Sequence, residues 1–67
     1  MISFSRLWKT METKGVSQYT LIHTYSISPS QITRLKRNEN VTTFTINRLC
    51  TILDCTVEEI MEYQNDE

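Results

Sequence analysis

Residues 18–37 of this 67-residue chain read QYTLIHTYSISPSQITRLKR, and this stretch decides the fold that we expect. In its first half Leu21, Ile22 and Tyr25 recur at helical spacing. In its second half Ile32 and Leu35 do the same. Each half therefore predicts a short helix with one apolar face, and the two faces can pack against each other.

A capping box separates the two predicted helices. We expect the Ser28 hydroxyl to accept from the amide of Gln31, and the Gln31 side chain to reach back to the amide of Ser28. Pro29 falls at the first helical position, where its missing N–H removes no hydrogen bond. A helix, a tight turn and a capped helix make a helix-turn-helix, whose second helix can enter the major groove of DNA.

A further helix is expected before this pair, from Phe4 to about Lys14, with Ser3 or Ser5 as a cap. Gly15 is its expected left-handed terminator. Ser17 is well placed to cap the first helix of the pair. The second helix of the pair is expected to end near Asn38, which tolerates the left-handed conformation.

Two more helices are expected after the pair. The fourth follows a cap at Thr42 or Thr43 and runs to about Leu53. Residues 41–46 are β-branched enough to allow a strand, but we expect no second strand to pair with them. The sequence TVEE at residues 56–59 is another capping box and opens a short fifth helix. The apolar residues expected to turn inward from these two helices are Ile46, Leu49, Cys50, Leu53, Val57, Ile60 and Met61.

The fold class that follows is all-α, a compact five-helix single domain over residues 1–67 with the helix-turn-helix at 18–37. A hydrophobic content of 39% with one Gly and one Pro argues against disorder and against a turn-rich β-sandwich. The acidic tail, residues 64–67, is expected to fray. No apolar run approaches the roughly 18 residues of a membrane span, so we expect a cytoplasmic protein without a membrane partner.

Residue chemistry favours binding over catalysis. Cys50 and Cys55 lie five apart without a second pair of metal ligands, so no metal site is expected. Their spacing also allows a disulfide, but in a cytosolic protein we expect two free thiols. His23 has no Ser, Asp or Glu arranged around it for catalysis. Phe44 is expected to be a packing aromatic. No nucleophile elbow, phosphate loop or catalytic carboxylate pair is present, so we predict a protein that is not an enzyme and holds no cofactor.

The net charge of −1 argues against nucleic acid at first sight, but its distribution reverses that argument. Residues 1–38 contain six Lys or Arg against one Glu, whereas residues 39–67 contain one Arg against seven acidic residues. A basic half joined to an acidic half indicates a cationic face turned to an anionic partner. The alternative is an ordinary solvated mixture of charges.

The chain resembles the lambda repressor-like, Cro/CI-type (Xre-family) helix-turn-helix regulators along nearly its whole length. The resemblance is carried by ISFSRLWKTM at residues 2–11, the helix-turn-helix, and NENVTTFTINRLCTILDCTVEEI at residues 38–60. It implies sequence-specific binding to double-stranded DNA. Ile22 stands where the family usually has a small residue, and Ser26 stands where it usually has Gly. Ser26 is therefore expected at positive φ, and the bulk of Ile22 bears on the angle at which the reading helix meets DNA.

The candidate DNA-binding residues lie on and around the helix from Pro29 to Lys36. Arg34 is the first candidate for a base contact, because a guanidinium can pair bidentately with guanine. Gln31 could pair with adenine and Thr33 could touch a thymine methyl group. The predicted base-reading residues are Ser28, Ser30, Gln31, Thr33, Arg34 and Arg37. The predicted phosphate contacts are Gln18, Lys36 and Asn40, with Arg37 as a further candidate.

Two functions remain open on this reading. The first is a transcriptional regulator, a repressor by preference, that binds DNA as a homodimer because one small module covers little DNA surface. The second is a protein-binding module on the same fold, such as an antitoxin-like or antirepressor partner, which the acidic half would serve. For each candidate residue the alternative to a binding role is a solvated polar face.

Overall fold

Helices make up most of the computed structural model, which describes residues 1–65. They are α1 (Ser5–Lys14), α2 (Gln18–His23), α3 (Pro29–Lys36) and α4 (Thr43–Leu53). A 3₁₀ turn at Val57–Glu59 replaces the predicted fifth helix, and the strands β1 (Ile2–Ser3) and β2 (Glu62–Tyr63) form a short ribbon. The all-α class is confirmed, with one helix fewer than predicted. No helix in the described part is long and apolar enough to cross a membrane.

Three helices begin in the same way. Ser17, Ser28 and Thr42 are N-caps whose hydroxyls accept from the amide three residues later, at 3.1, 3.3 and 3.3 Å. An apolar residue precedes each cap and another occupies the fourth helical position, the arrangement known as a hydrophobic staple. The pairs are Val16 with Leu21, Ile27 with Ile32, and Val41 with Ile46, and all six side chains lie in the core or against it. The caps therefore also set the direction in which the chain enters each helix.

Left-handed residues end three of the four helices. Gly15, Asn38 and Asp54 have φ of 71°, 56° and 50° and follow α1, α3 and α4. In each case the next amide bonds back to a carbonyl five residues earlier, at 2.9, 2.8 and 3.1 Å, which closes a Schellman motif. The predicted terminators Gly15 and Asn38 are thus confirmed.

The start of α1 differs from the prediction. Its N-cap is Phe4, which makes no side-chain cap bond. Of the two expected caps, the Ser3 hydroxyl accepts from the Ser5 amide at 3.3 Å, while Ser5 does not cap the helix. The Phe4 amide donates instead to Oδ1 of Asn38, at 2.8 Å. Asn38 therefore ends α3 with its backbone and holds the start of α1 with its side chain.

One core joins the four helices and the segment that follows them. Its fully buried side chains are Leu7, Leu21, Leu35, Leu49, Leu53 and Ile60. The sequence predicted that Tyr25, Phe44 and Val57 would pack inward. This was wrong, because they are 37%, 69% and 45% exposed. Ile27, which lies in the turn where no helical period applies, is buried instead.

The two ends of the described chain meet in the ribbon. β1 and β2 are antiparallel, with Ile2 opposite Tyr63 and Ser3 opposite Glu62. The Met1 amino group donates to the Gln64 carbonyl at 2.6 Å, and the Gln64 amide donates to the Met1 carbonyl at 2.7 Å. The predicted frayed tail is therefore bonded at Gln64, and its last residues, 66 and 67, lie outside the described residues.

The polar side of α1 faces the acidic C-terminal segment. Arg6 pairs with Glu62 at 2.5 Å and also donates to the Glu58 carbonyl at 3.0 Å. Thr10 donates to the Glu59 carbonyl at 2.6 Å. Two cations of the basic half are thus drawn toward the acidic half, because Lys14 also donates to the carbonyl of Asp54 at 3.4 Å.

Candidate nucleic-acid interface

The turn of the helix-turn-helix is held from both sides. Ser26 has φ of 59°, as predicted. The Ile27 amide donates to the Leu21 carbonyl at 2.9 Å, which returns the chain toward α2. The Arg48 guanidinium of α4 donates to the carbonyl of Tyr25. Ile22 is half-buried and packs against the core.

Most of the predicted base-reading residues share the exposed side of α3. Ser28 and Ser30 are exposed at its start, and their hydroxyls pair at 3.0 Å. Thr33 is exposed one turn later and donates to the Pro29 carbonyl at 3.1 Å. Arg34 and Arg37 are exposed further along. The five side chains form a polar surface, in which local hydrogen bonds restrict the three hydroxyls.

Arg34 brings two predicted contacts together. Its Nη1 donates to the carbonyl of Asn40 at 3.4 Å, so the guanidinium spans the end of α3 and the loop that follows. Lys36 is exposed at the last position of the same helix. Of the predicted base-reading and phosphate-binding residues, Arg34, Lys36 and Asn40 thus lie together at the C-terminal end of α3.

Gln31 is placed differently from its neighbours. It is half-buried, and its Oε1 accepts from the hydroxyl of Thr45 in α4 at 3.5 Å. The predicted capping box is therefore only half formed, since Ser28 accepts from the Gln31 amide but the side chain does not return to Ser28. The Gln31 side chain therefore bonds to Thr45, which is 8% exposed, and not to the amide of Ser28.

The start of α2 adds an aromatic residue that the sequence reasoning missed. Gln18, the predicted phosphate contact, is half-buried at the first position of α2. Beside it Tyr19 is 71% exposed, and its ring lies 4.1 Å from the ring of His23. The signal available in the sequence was the spacing of Tyr19 and His23, because residues four apart are neighbours on one face of a helix.

The helix-turn-helix carries positively charged side chains and no negatively charged ones. Residues 13–38 contain no Asp or Glu, while Arg34, Lys36 and Arg37 are exposed on or next to α3. The carboxylates Glu58, Glu59 and Glu62 lie in the segment beside α1, where Arg6 pairs with Glu62. The positive surface around α3 is therefore not neutralised by acidic residues of its own helices.

Glu59 and Cys55, two side chains whose pKa is shifted, lie outside the surface around α3. Hydrogen bonds from the amide and the hydroxyl of Thr56 lower the pKa of Glu59. Burial, and then the neighbouring Cys50 and Glu59, raise the pKa of Cys55. Both cysteines are free thiols, as expected. Among residues 1–65 no cluster of three or more His, Cys, Asp or Glu side chains could hold a metal ion.

Comparisons with known proteins agree with this geometry. A family model described as a Cro/C1-type helix-turn-helix DNA-binding domain matches residues 6–66. The crystal structure of the transcriptional regulator VanUg, Form II, is similar with a TM-score of 0.86 and 26% sequence identity. That match covers 97% of this chain and 87% of the other. No curated protein sequence matches the chain significantly.

Proposed function

This chain belongs to the Cro/C1-type helix-turn-helix DNA-binding family, and we propose that it is a cytoplasmic, homodimeric repressor that reads the major groove with α3. The family and the similar regulator support a DNA-binding transcriptional regulator. Repression, dimerisation and the individual contacts are parts of the proposal.

The observation that carries the proposal is the exposed face of α3. It presents three cations and three hydroxyl side chains within a helix-turn-helix that has no carboxylate. Cations supply the phosphate attraction on which DNA affinity depends, and hydroxyl and guanidinium groups supply contacts to base edges. A helix that fits the major groove and presents both cations and base-contacting groups suits duplex DNA better as a partner than it suits an acidic protein.

The residues have separate roles in this proposal. Arg34 reads a guanine, since its guanidinium is exposed and restrained by Asn40. The other base-reading residues are Ser28, Ser30, Gln31, Thr33 and Arg37. The phosphate contacts are Gln18, Lys36 and Asn40, which lie at the start of α2 and after the middle of α3. Gln31 is the least exposed of these α3 residues, so its contact requires release from Thr45.

Dimerisation follows from the size of the domain. A module of this kind buries only about 600–1,000 Å² on DNA, and two copies on half-sites one helical turn apart raise the affinity. The described residues form one core. A DNA-bound dimer of this kind represses by occupying a site near a promoter and so excluding polymerase.

Substitutions of Arg34 test the base contact. Selection of bound sequences from a random duplex pool supplies the site, and binding of variants is then measured by electrophoretic shift. We expect Arg34→Ala to weaken binding about 5- to 150-fold and to relax the preference at one base pair. Arg34→Lys should keep most of the salt dependence but weaken that preference, because a flexible ammonium group lacks the rigid planar fork with which a guanidinium pairs with guanine.

The control is Lys9→Ala, which removes an exposed cation from α1 and should leave site preference unchanged. Equal loss from Lys9→Ala and Arg34→Ala would contradict the assigned surface. Absence of any binding to the random pool at low salt would favour the alternative, a protein-binding module on this fold.

A further inference from the structure

The outer face of α4 carries no charge. Its exposed residues are Thr43, Phe44, Asn47 and Thr51. The one charged residue of this helix, Arg48, is half-buried and donates to the carbonyl of Tyr25. A surface helix ordinarily turns charged residues to solvent, and depletion of charge is the compositional mark of the centre of a protein interface.

This face has both a protruding aromatic ring and an apolar cleft. Phe44 is 69% exposed, although the sequence predicted it to pack. On the other flank of α4 lies a cleft of about 390 Å³, lined by Thr43, Ile46, Asn47, Cys50, Val57 and Met61. All six lining residues are uncharged, and Val57 is 45% exposed. An aromatic anchor seated in a pocket is the usual source of binding energy in an interface.

The occupant that fits both features at once is a second copy of this chain. In a twofold interface residue i of one copy contacts residue j of the other, and the reverse contact forms as well. Phe44 and the cleft lie at the same level of α4, so each copy offers one ring and accepts one. An uncharged face also avoids the like-charge repulsion that a twofold axis imposes on a charged face. DNA does not fit, because the face offers no free cation to phosphate.

A dimer interface of standard size needs a modest share of the surface of this chain. Standard interfaces bury about 800 Å² of each partner, which is roughly one sixth of the 4590 Å² that this chain exposes. We propose that two copies pair through α4, with Phe44 of each copy seated in the cleft formed by Ile46, Cys50, Val57 and Met61 of the other. This interface specifies the contact surface of the proposed homodimer. Its biological role rests on the proposed function, but the test of the interface requires no DNA.

The first test measures the dimer dissociation constant by sedimentation equilibrium without DNA. Phe44→Ala should raise this constant about 30-fold or more, the loss typical of a central aromatic anchor. Val57→Asp, which places a charge in the cleft, should do the same. Tyr19→Ala is the matched control, because Tyr19 is an equally exposed aromatic outside this face, and it should leave the constant unchanged.

The second test identifies the neighbours across the interface. Phe44→Cys and Val57→Cys are made in separate chains that also carry Cys50→Ser and Cys55→Ser. Disulfide exchange with oxidised glutathione should link the two chains when they are mixed, while each alone should link far less. Thr13→Cys in place of Val57→Cys serves as the control, since Thr13 lies on α1.

Three outcomes would overturn the interface. They are a wild-type chain that stays monomeric at several hundred micromolar, unchanged dimerisation of Phe44→Ala and Val57→Asp, and cross-linking of Phe44→Cys to the Thr13 control. Circular dichroism of each variant separates loss of dimer from loss of fold. DNA binding that still depends on Arg34 in a monomeric wild-type chain would retain the DNA contact and reject only the interface.

Discussion

Among residues 1–65 four adopt the left-handed conformation, but they differ in how well they suit it. Gly15 has no Cβ, and Asn38 and Asp54 belong to the residue types that visit this region most readily. Ser26 does not, and its φ is 59°. The turn of the helix-turn-helix is thus the position where backbone strain accumulates. The bonds from Ile27 to Leu21 and from Arg48 to Tyr25 hold it in place.

Replacing Ser26 by Gly should therefore stabilise the protein. Removing the Cβ relieves about 1–2 kcal/mol of left-handed strain, and the greater freedom of Gly in the unfolded chain offsets part of it. We expect a net gain of about 1 kcal/mol, or about 4–8 °C in Tm, measured by thermal denaturation. Ser30→Gly is the control, since Ser30 lies inside α3 and Gly there should destabilise. A fall in Tm for Ser26→Gly would refute the strain argument.

At the scale of the element, the 3₁₀ turn shows how a cap can be formed by a carboxylate. The Glu59 carboxylate accepts from the amide of Thr56 at 3.1 Å and from its hydroxyl at 3.2 Å. These bonds favour the charged carboxylate and so lower the pKa of Glu59. A lowered pKa in the folded state means that the cap stabilises the fold above the unfolded pKa. This contribution is lost as pH falls through the folded value.

The pH dependence of Glu59→Gln tests this cap. The difference in Tm between wild type and Glu59→Gln should be present at pH 7. It should shrink as pH falls below about 4.3, the ordinary pKa of glutamate. Glu12→Gln, on the exposed side of α1, is the control and should show a smaller change. A difference in Tm that stays constant from pH 7 to pH 3 would contradict a charged cap.

At the scale of the whole molecule, folding redistributes the charges that the sequence separates. The basic half contains cations on α1 and on α3, but Arg6 pairs with Glu62, and Lys14 donates to the carbonyl of Asp54. The cations exposed on and next to α3 remain for a partner. The surface available to DNA is consequently smaller and more localised than a count over residues 1–38 indicates.

Salt dependence should report this smaller surface. Lys36 is the cation among the proposed phosphate contacts, and Arg37 is a further candidate beside its base-reading role. If each neutralises a phosphate, a homodimer has four such contacts, and log K should fall against log salt with a slope of about −3 to −4. Lys36→Ala should reduce the slope by about 2, because each dimer loses two cations. Lys9→Ala should leave the slope unchanged. A slope that responds equally to both variants would place DNA on α1 as well.

The sequence alone determined the features that depend on neighbours along the chain. The caps at Ser17 and Ser28, the cap at Thr42 or Thr43, and the left-handed residues Gly15 and Asn38 were predictable from it, whereas the positive φ of Ser26 was implied by the family resemblance. Each involves a backbone group within about six residues, so the local sequence contains both partners. The order of the helices, and with it the helix-turn-helix, follows from these signals.

Only the tertiary structure decided the contacts between distant residues. Gln31 turns to Thr45 rather than to Ser28, Asn38 at the end of α3 accepts from the Phe4 amide before α1, and Phe44 lies exposed beside an apolar cleft. The ribbon of β1 with β2 pairs two strands of two residues each, too short for any periodicity to predict. The physical reason is common to all of them. Local propensity can specify a helix, but which polar group wins a hydrogen bond, and which face stays open, depends on what the packed chain brings alongside.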